Sequence, residues 1–355
     1  VYTENGLGGM SRIYHDLYRN RLCRGPFRDK ERPILINNWE ATYFDFDADK
    51  IEQLAKEAQS VGVELFVLDD GWFGKRDDDN TSLGDWVVDR RKLPDGLPDL
   101  ANRIRNLGME FGLWFEPEMV SIDSDLYRKH PDWCIHVPDR PYTLGRNQLM
   151  LDLSRKEVCE YIVKSVSDIL SDVPITYVKW DMNRHMTDVG SAALPPERQR
   201  ETAHRYILGL YSVMEELTSK FPHVLFESCS SGGGRFDAGM LYYMPQTWTS
   251  DNTDAICRLK IQWGTSLVYP PITMGAHVST VPNHQVGRIT PLETRGYVAM
   301  AGNLGYELDL TALTVEEKEV VKQQIALYKE MRSLIQFGKF YRIINPFDEN
   351  EAAWS

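Results

Sequence analysis

Eight short runs of β-forming residues alternate with helical runs along this chain. The runs are Ile34–Asn38, Glu64–Asp69, Glu110–Phe115, Leu149–Leu153, Tyr177–Asp181, Val224–Ser228, Gln246–Ser250 and Ile272–Ala276. Strands that alternate with helices call for a parallel sheet, because a parallel crossover needs a helix to return the chain. Eight of them within roughly 245 residues match an α/β fold of the (β/α)8 TIM-barrel type. A length of 355 residues allows two average domains, but one such barrel also fills it.

The intervening helices carry their own start and stop signals. Asp49–Val61 places Ile51, Leu54, Ala55 and Ala58 on one stripe, and Gly62 follows as a helix stop. Ser154 is expected to cap Arg155–Leu170, with Glu157 completing a capping box. Pro196 stands near the start of a long helix to Phe221, and Pro222 lies beyond its end. Asp254 is placed to cap Asp254–Val268, and Thr314 with Glu317 to cap Val315–Phe337. The barrel is therefore expected over 34–338. Residues 1–33 and 339–355 have no clear place in it and read as stubs of neighbouring domains or short caps.

Composition removes several functions. Forty Lys and Arg against 52 Asp and Glu give a net charge of −12, so no broad basic surface for nucleic acid is expected. No apolar run approaches a membrane span, and no signal peptide is readable after Val1. Five scattered cysteines, odd in number and without CxxC, favour free thiols and a cytoplasmic location. The eight histidines are dispersed, with neither HxH nor HExxH, so no metal site is expected.

In such a barrel, reactive groups sit at the C-terminal strand ends. Here those ends are rich in carboxylates: Glu40, Asp69, Asp70, Glu116, Glu118, Asp152, Asp181, Glu227 and Asp251. In Tyr177-Val-Lys-Trp-Asp-Met-Asn183 the pleat puts Lys179, Asp181 and Asn183 on one face and turns Trp180 away. A lysine beside Asp181 would favour the ionised carboxylate that a nucleophile in sugar transfer needs; a buried ion pair without a catalytic role is the alternative. Asp254 fits the cap of the next helix, which leaves Asp251 free to face the pocket. Two carboxylates on opposite walls are the arrangement for glycoside cleavage, one attacking and one moving a proton. The pair Asp69-Asp70 suits sugar hydroxyls or a metal. Cys229-Ser-Ser-Gly-Gly-Gly-Arg235 is neither a P-loop nor a nucleophile elbow, and reads as a tight turn close to a ligand. Trp39, Trp114 and Trp248 fall at or near strand ends; each can be core, but three on one rim suit a sugar face. Arg146 lies in a long insertion, Val120–Gln148, of the kind that carries functional loops.

Four stretches together resemble glycoside hydrolase family 36, and closely its bacterial α-galactosidases: Leu68-Asp-Asp-Gly-Trp72, Lys179-Trp-Asp-Met-Asn-Arg184, Cys229–Arg235 and Ser250-Asp-Asn-Thr-Asp254. The resemblance implies a retaining exo-α-galactosidase acting on small α-galactosides such as melibiose and raffinose, without metal or organic cofactor. It implies Asp181 as nucleophile and Asp251 as general acid/base, protonated in the free enzyme. It implies sugar contacts from Asp69, Asp70, Trp114, Arg146, Lys179, Asn183, Cys229, Gly232 and Trp248, with Trp39 lining the same pocket. Full-length members carry β domains on both sides of the barrel and form homo-tetramers, so residues 1–33 resemble the tail of the first β domain and 339–355 the start of the second. The alternatives are a transglycosylating relative, an α-N-acetylgalactosaminidase (disfavoured because Cys229 and the Gly232 turn close the space beside the 2-hydroxyl) and an inactive sugar-binding barrel.

Overall fold

A computed structural model describes residues 1–348 and 351–355. Eight parallel strands close into a barrel: β1 (Leu35–Asn37), β2 (Leu65–Leu68), β3 (Glu110–Phe115), β6 (Tyr177–Trp180), β7 (Leu225–Ser228), β8 (Gln246–Trp248), β9 (Met274–Ser279) and β10 (Asn303–Glu307). Around the ring the order is β1, β10, β9, β8, β7, β6, β3, β2, so the (β/α)8 expectation holds. Two further strands, β4 (Met119–Ser121) and β5 (Gln148–Met150), form a separate antiparallel ribbon after β3.

That ribbon corrects one expected strand. Leu149–Leu153 is not in the barrel; its first residues pair with β4, and Asp152 accepts from Ser154 and Ser191 away from the strand ends of the ring. The eighth barrel strand is β10, which the sequence reading passed over. Gly302 and Gly305 dilute its β signal. Gly305 is needed because a Cβ there would lie 2.5 Å from the His277 ring. The Ser154 cap is also corrected. The helix runs Lys156–Asp172 with no side-chain cap, Ser154 Oγ donates to Asp152, and Arg155 Nε donates to Glu157. Asp152 captures the hydroxyl before the helix can.

The other helix signals hold to within a few residues, and Asp47 adds a cap that was not anticipated. Asp47 caps Ala48–Val61, and Gly62 ends it at φ 99°. Asp254 caps Ala255–Thr265 through Cys257 N. Thr314 and Glu317 form the reciprocal box on Val315–Phe337. Pro196 opens a 3-10 turn, Pro196–Glu201, that leads into Thr202–Lys220.

Strand alternation sorts the buried side chains into two cores. Outward positions such as Ile36, Phe66, Leu113, Val178, Trp180 and Phe226 pack under the helices in one large cluster. Inward, Leu35, Leu65, Val67, Tyr177 and Leu225 form a small apolar plug. Beyond the plug the inward positions turn polar: Asn37, Lys179, Glu227, Gln246 and Glu307. The fold thus seals the N-terminal end of the lumen and leaves its C-terminal end to chemistry.

The two terminal stretches meet outside the ring. Gly6–Leu17 is a helix whose Ser11 Oγ donates to Leu267 O at 2.7 Å. Arg342–Ile344 pairs with Ala353–Trp354, and Arg342 donates to Ser11 Oγ and Ser266 Oγ. An apolar cleft lined by Tyr297, Met331, Leu334, Tyr341 and Trp354 opens beside this hairpin. Among the described residues, no helix is long and apolar enough to cross a membrane.

Candidate active site

At the C-terminal end of the ring lies a cavity of about 200 Å³. Eleven of the twelve predicted site residues line it: Trp39, Asp69, Asp70, Trp114, Arg146, Lys179, Asp181, Asn183, Cys229, Trp248 and Asp251. Gly232, the twelfth, stands behind Asp251. Its φ is 82°, and a Cβ would come within 2.6 Å of Asp251 N, so only glycine lets the β7 turn back this closely onto the β8 turn. That turn is anchored by Arg235, which grips the buried Glu118 with both terminal nitrogens at 2.9 and 2.7 Å. Glu118, one of the strand-end carboxylates, is therefore structural. Trp180 and Tyr206 also donate to it, and loss of one partner of such a buried pair costs about 3–5 kcal/mol.

Asp181 is 6% exposed and takes three donors. Trp114 Nε1 donates to Oδ2 at 3.1 Å, Asn183 Nδ2 to Oδ2 at 2.7 Å, and Met182 N to Oδ1 at 2.9 Å. Lys179 does not bind it. Its Nζ donates instead to Asp69 Oδ2 at 2.8 Å, which corrects the expected Lys179–Asp181 contact. One pleat repeat carries Lys179 below Asp181, to the depth of Asp69 on the far side of β3. Burial works against the lysine's charge, but Asp69 and the other nearby acids outweigh it, and Lys179 stays an ammonium.

Asp69 also accepts from Asn37 Nδ2 at 2.6 Å. Asp70 is clasped by Arg76 through Nε at 2.6 Å and a terminal nitrogen at 2.8 Å. Burial raises the Asp70 carboxyl, and Arg76 opposes the shift. Buried carboxylates with fixed partners leave their remaining lone pairs aimed at a guest, which suits hydroxyl recognition. Among the described residues no cluster could hold a metal ion.

Asp251 is more open and accepts one side-chain donor, Trp248 Nε1 at 3.1 Å. Burial first, and the charge of Asp181 second, raise its carboxyl to about 6. Cys229 lies near both carboxylates. Burial, then Asp181, pushes its thiol far up, so it remains S–H.

Glu40, Thr253, His284, Gln285 and Glu307, which are not among the expected site residues, also line the cavity. Glu307 ends the overlooked strand β10. Asn303 and Gly305 interrupt the apolar run before it, so this acid lacked the lead-in that marks the others. Glu40 was noted only as an acidic strand end. Burial, then Glu307, raises it to about 8, and it accepts from Thr253 Oγ1 at 2.8 Å. His284 and Gln285 sit on the loop after β9, where Gln285 Nε2 donates to Asp251 O at 2.8 Å; nothing in the sequence marks them. Arg146 reaches the cavity from the turn between β4 and β5, where Arg146 and Asn147 both have left-handed φ, 49° and 59°. That conformation is uncommon outside Gly, Asn and Asp, and recurs at functional sites.

Known proteins share this fold. The α-galactosidase AgaA of Geobacillus stearothermophilus is 70% identical over 354 residues, all of this chain and 49% of that protein. Its crystal structure superposes with a TM-score of 0.99, and a variant of it was solved with raffinose, at 69% identity. α-Galactosidase 1 of Pediococcus pentosaceus is 56% identical over all of this chain and 48% of that protein. The chain thus spans about half the length of the curated relatives it matches. The melibiase family pattern covers residues 1–338. The chain belongs to the melibiase family, glycoside hydrolase family 36.

Proposed function

We propose that this chain is the catalytic barrel of a retaining exo-α-galactosidase that acts on small α-galactosides such as melibiose and raffinose. The observation that carries the reading is the unequal pair: a buried Asp181 fixed by three donors faces the same cavity as an Asp251 raised to about 6. Double displacement asks for two such carboxyls. Asp181 attacks the anomeric carbon and expels the leaving oxygen, to which Asp251 gives its proton. Water then attacks the galactosyl-enzyme, Asp251 takes the water's proton, and Asp181 is released. Asp69 and Asp70 hold galactose hydroxyls, the axial 4-hydroxyl foremost. Lys179, Asn183, Arg146, Cys229 and the Gly232 turn supply further contacts, and Trp39, Trp114 and Trp248 supply indole walls. The raffinose complex of a 69%-identical relative supports the substrate class.

In this reading residues 1–33, helical over Gly6–Leu17, are the linker that follows an N-terminal β domain, and 339–355 begin a C-terminal one, through which the full protein assembles as a homo-oligomer. The half-length coverage of relatives and the apolar cleft at the terminal hairpin support this. Five unpaired thiols fit a cytoplasmic setting.

The test is hydrolysis of an aryl α-galactoside, with the aryl α-glucoside as comparator and NMR of the first-formed sugar. Release from the galactoside alone, as the α-anomer, is expected. A first-formed β-anomer overturns retention. A folded chain that binds galactose without cleaving either substrate overturns the hydrolase reading.

A further inference from the structure

Glu116 is a buried acid that the mechanism above does not use. It follows β3, is 1% exposed and does not line the cavity. Its Oε1 accepts from Asn183 N at 2.5 Å and from Gln148 Nε2 at 2.5 Å. Its Oε2 accepts from Asn183 Nδ2 at 3.1 Å. That same amide nitrogen donates to Asp181 Oδ2 at 2.7 Å. On the other side, Asn183 Oδ1 accepts from Ser231 N at 3.2 Å and Ser231 Oγ at 3.3 Å. A backbone N–H can only donate, so Ser231 sets which end of the amide carries the NH2 group. Glu116 then determines where that NH2 points.

We propose that Glu116 is a positioning residue for the nucleophile, holding backbone and side chain of Asn183 so that its amide aims one N–H at Asp181. The proposal rests on the hydrolase reading above. Glu116 holds no cation: all its hydrogen bonds come from amides. Burial, then the Asp181 charge, raises it to about 8, against the smaller pull of the Asn183 N–H, Arg76 and Arg146. Gln148 extends the link to the β4–β5 ribbon. Its own carbonyl is held by Arg184 at 2.9 Å, so the ribbon that carries Arg146 also braces the nucleophile's support.

The experiment is a double-mutant cycle on aryl α-galactoside hydrolysis. Glu116→Ala should lower kcat about 100-fold while KM stays within about twofold, the signature of a misplaced reacting group. Glu116→Gln should recover about tenfold of that loss, since its Oε1 still accepts from Asn183 N while its amide cannot accept from Nδ2. Glu116→Ala in an Asn183→Ala background should add no more than about twofold, because both act through one contact. Multiplicative losses, a loss confined to KM, or an unchanged kcat each overturn the proposal. If Glu116→Ala does not fold, the cycle is run with Glu116→Gln. Crystal structures give a reading independent of turnover: the Asn183 amide should leave Asp181 in Glu116→Ala and stay in Glu116→Gln. An unmoved amide in Glu116→Ala overturns the proposal. A wild-type chain without hydrolysis overturns the hydrolase reading instead.

Discussion

Asp181 and Asp251 are the same side chain in two settings, separated around the ring only by β7. Each receives one indole N–H at 3.1 Å, from Trp114 and Trp248 respectively. There the likeness ends. Asp181 also takes an amide and a backbone N–H, and its neighbour Asn183 is fixed in turn by Glu116 and Ser231. Among the described residues Asp251 takes no second side-chain donor, and it sits in the field of Asp181, which adds to burial in raising it to about 6. The difference teaches that role follows surroundings. A carboxyl fixed on several sides is oriented to attack, while one loosely held beside another's charge is poised to keep and return a proton.

The comparison breaks first, and by the largest margin, at Asp181→Asn. Rate on an aryl α-galactoside should fall about 10⁴-fold or more, as for loss of a covalent nucleophile, with far-UV circular dichroism unchanged. The same variant sharpens the electrostatic half. Removing the Asp181 charge should bring the Asp251 carboxyl down from about 6, read by carbon NMR of that carboxyl. An unmoved Asp251 would mean that burial alone raises it. Next in size, Asp251→Asn should slow raffinose cleavage about 10³-fold, within the usual range for a lost general acid. An activated aryl leaving group needs little protonation, so its first step should suffer far less. Equal losses on both substrates would erase the distinction between the two carboxyls.

Most of this site is legible in the sequence because a strand pleat is a rigid rule. Lys179, Asp181 and Asn183 share a face, and Trp180 turns to the outer core, as alternation requires. Closure of the barrel does the rest, carrying Asp69 from β2 to Lys179 on β6. What alternation cannot supply is depth and partner. It put Lys179 on the right face, but gave no sign that its nitrogen would end on Asp69. Nor could it tell a barrel strand from a ribbon strand. Leu149–Leu153 is more apolar than Asn303–Glu307, yet the weaker run entered the ring, because neighbours on both sides decide membership. His284 and Gln285 were beyond reach, since loop residues take their place from tertiary contacts such as the one to Asp251 O.

The finest test lies in the indoles. Trp114→Phe should lower kcat about tenfold by removing one of three donors to Asp181. Trp248→Phe should act mainly on pH. Asp251 must carry its proton to serve the first step, and a carboxyl raised to about 6 is protonated below that pH and charged above it. The kcat/KM profile should therefore fall as pH rises through about 6. The Trp248 N–H donates to Asp251 Oδ1 and favours its charged form. Without it Asp251 holds its proton longer, and the alkaline limb should move to higher pH. The ring itself stays in place. Arg258 lies over it at 4.4 Å and His277 packs against it at 4.3 Å, so phenylalanine fills the same slot without the donor. A limb that stays or moves down would show that the indole does not donate to the charged carboxylate in the working enzyme. The two indole contacts would then be alike in length only.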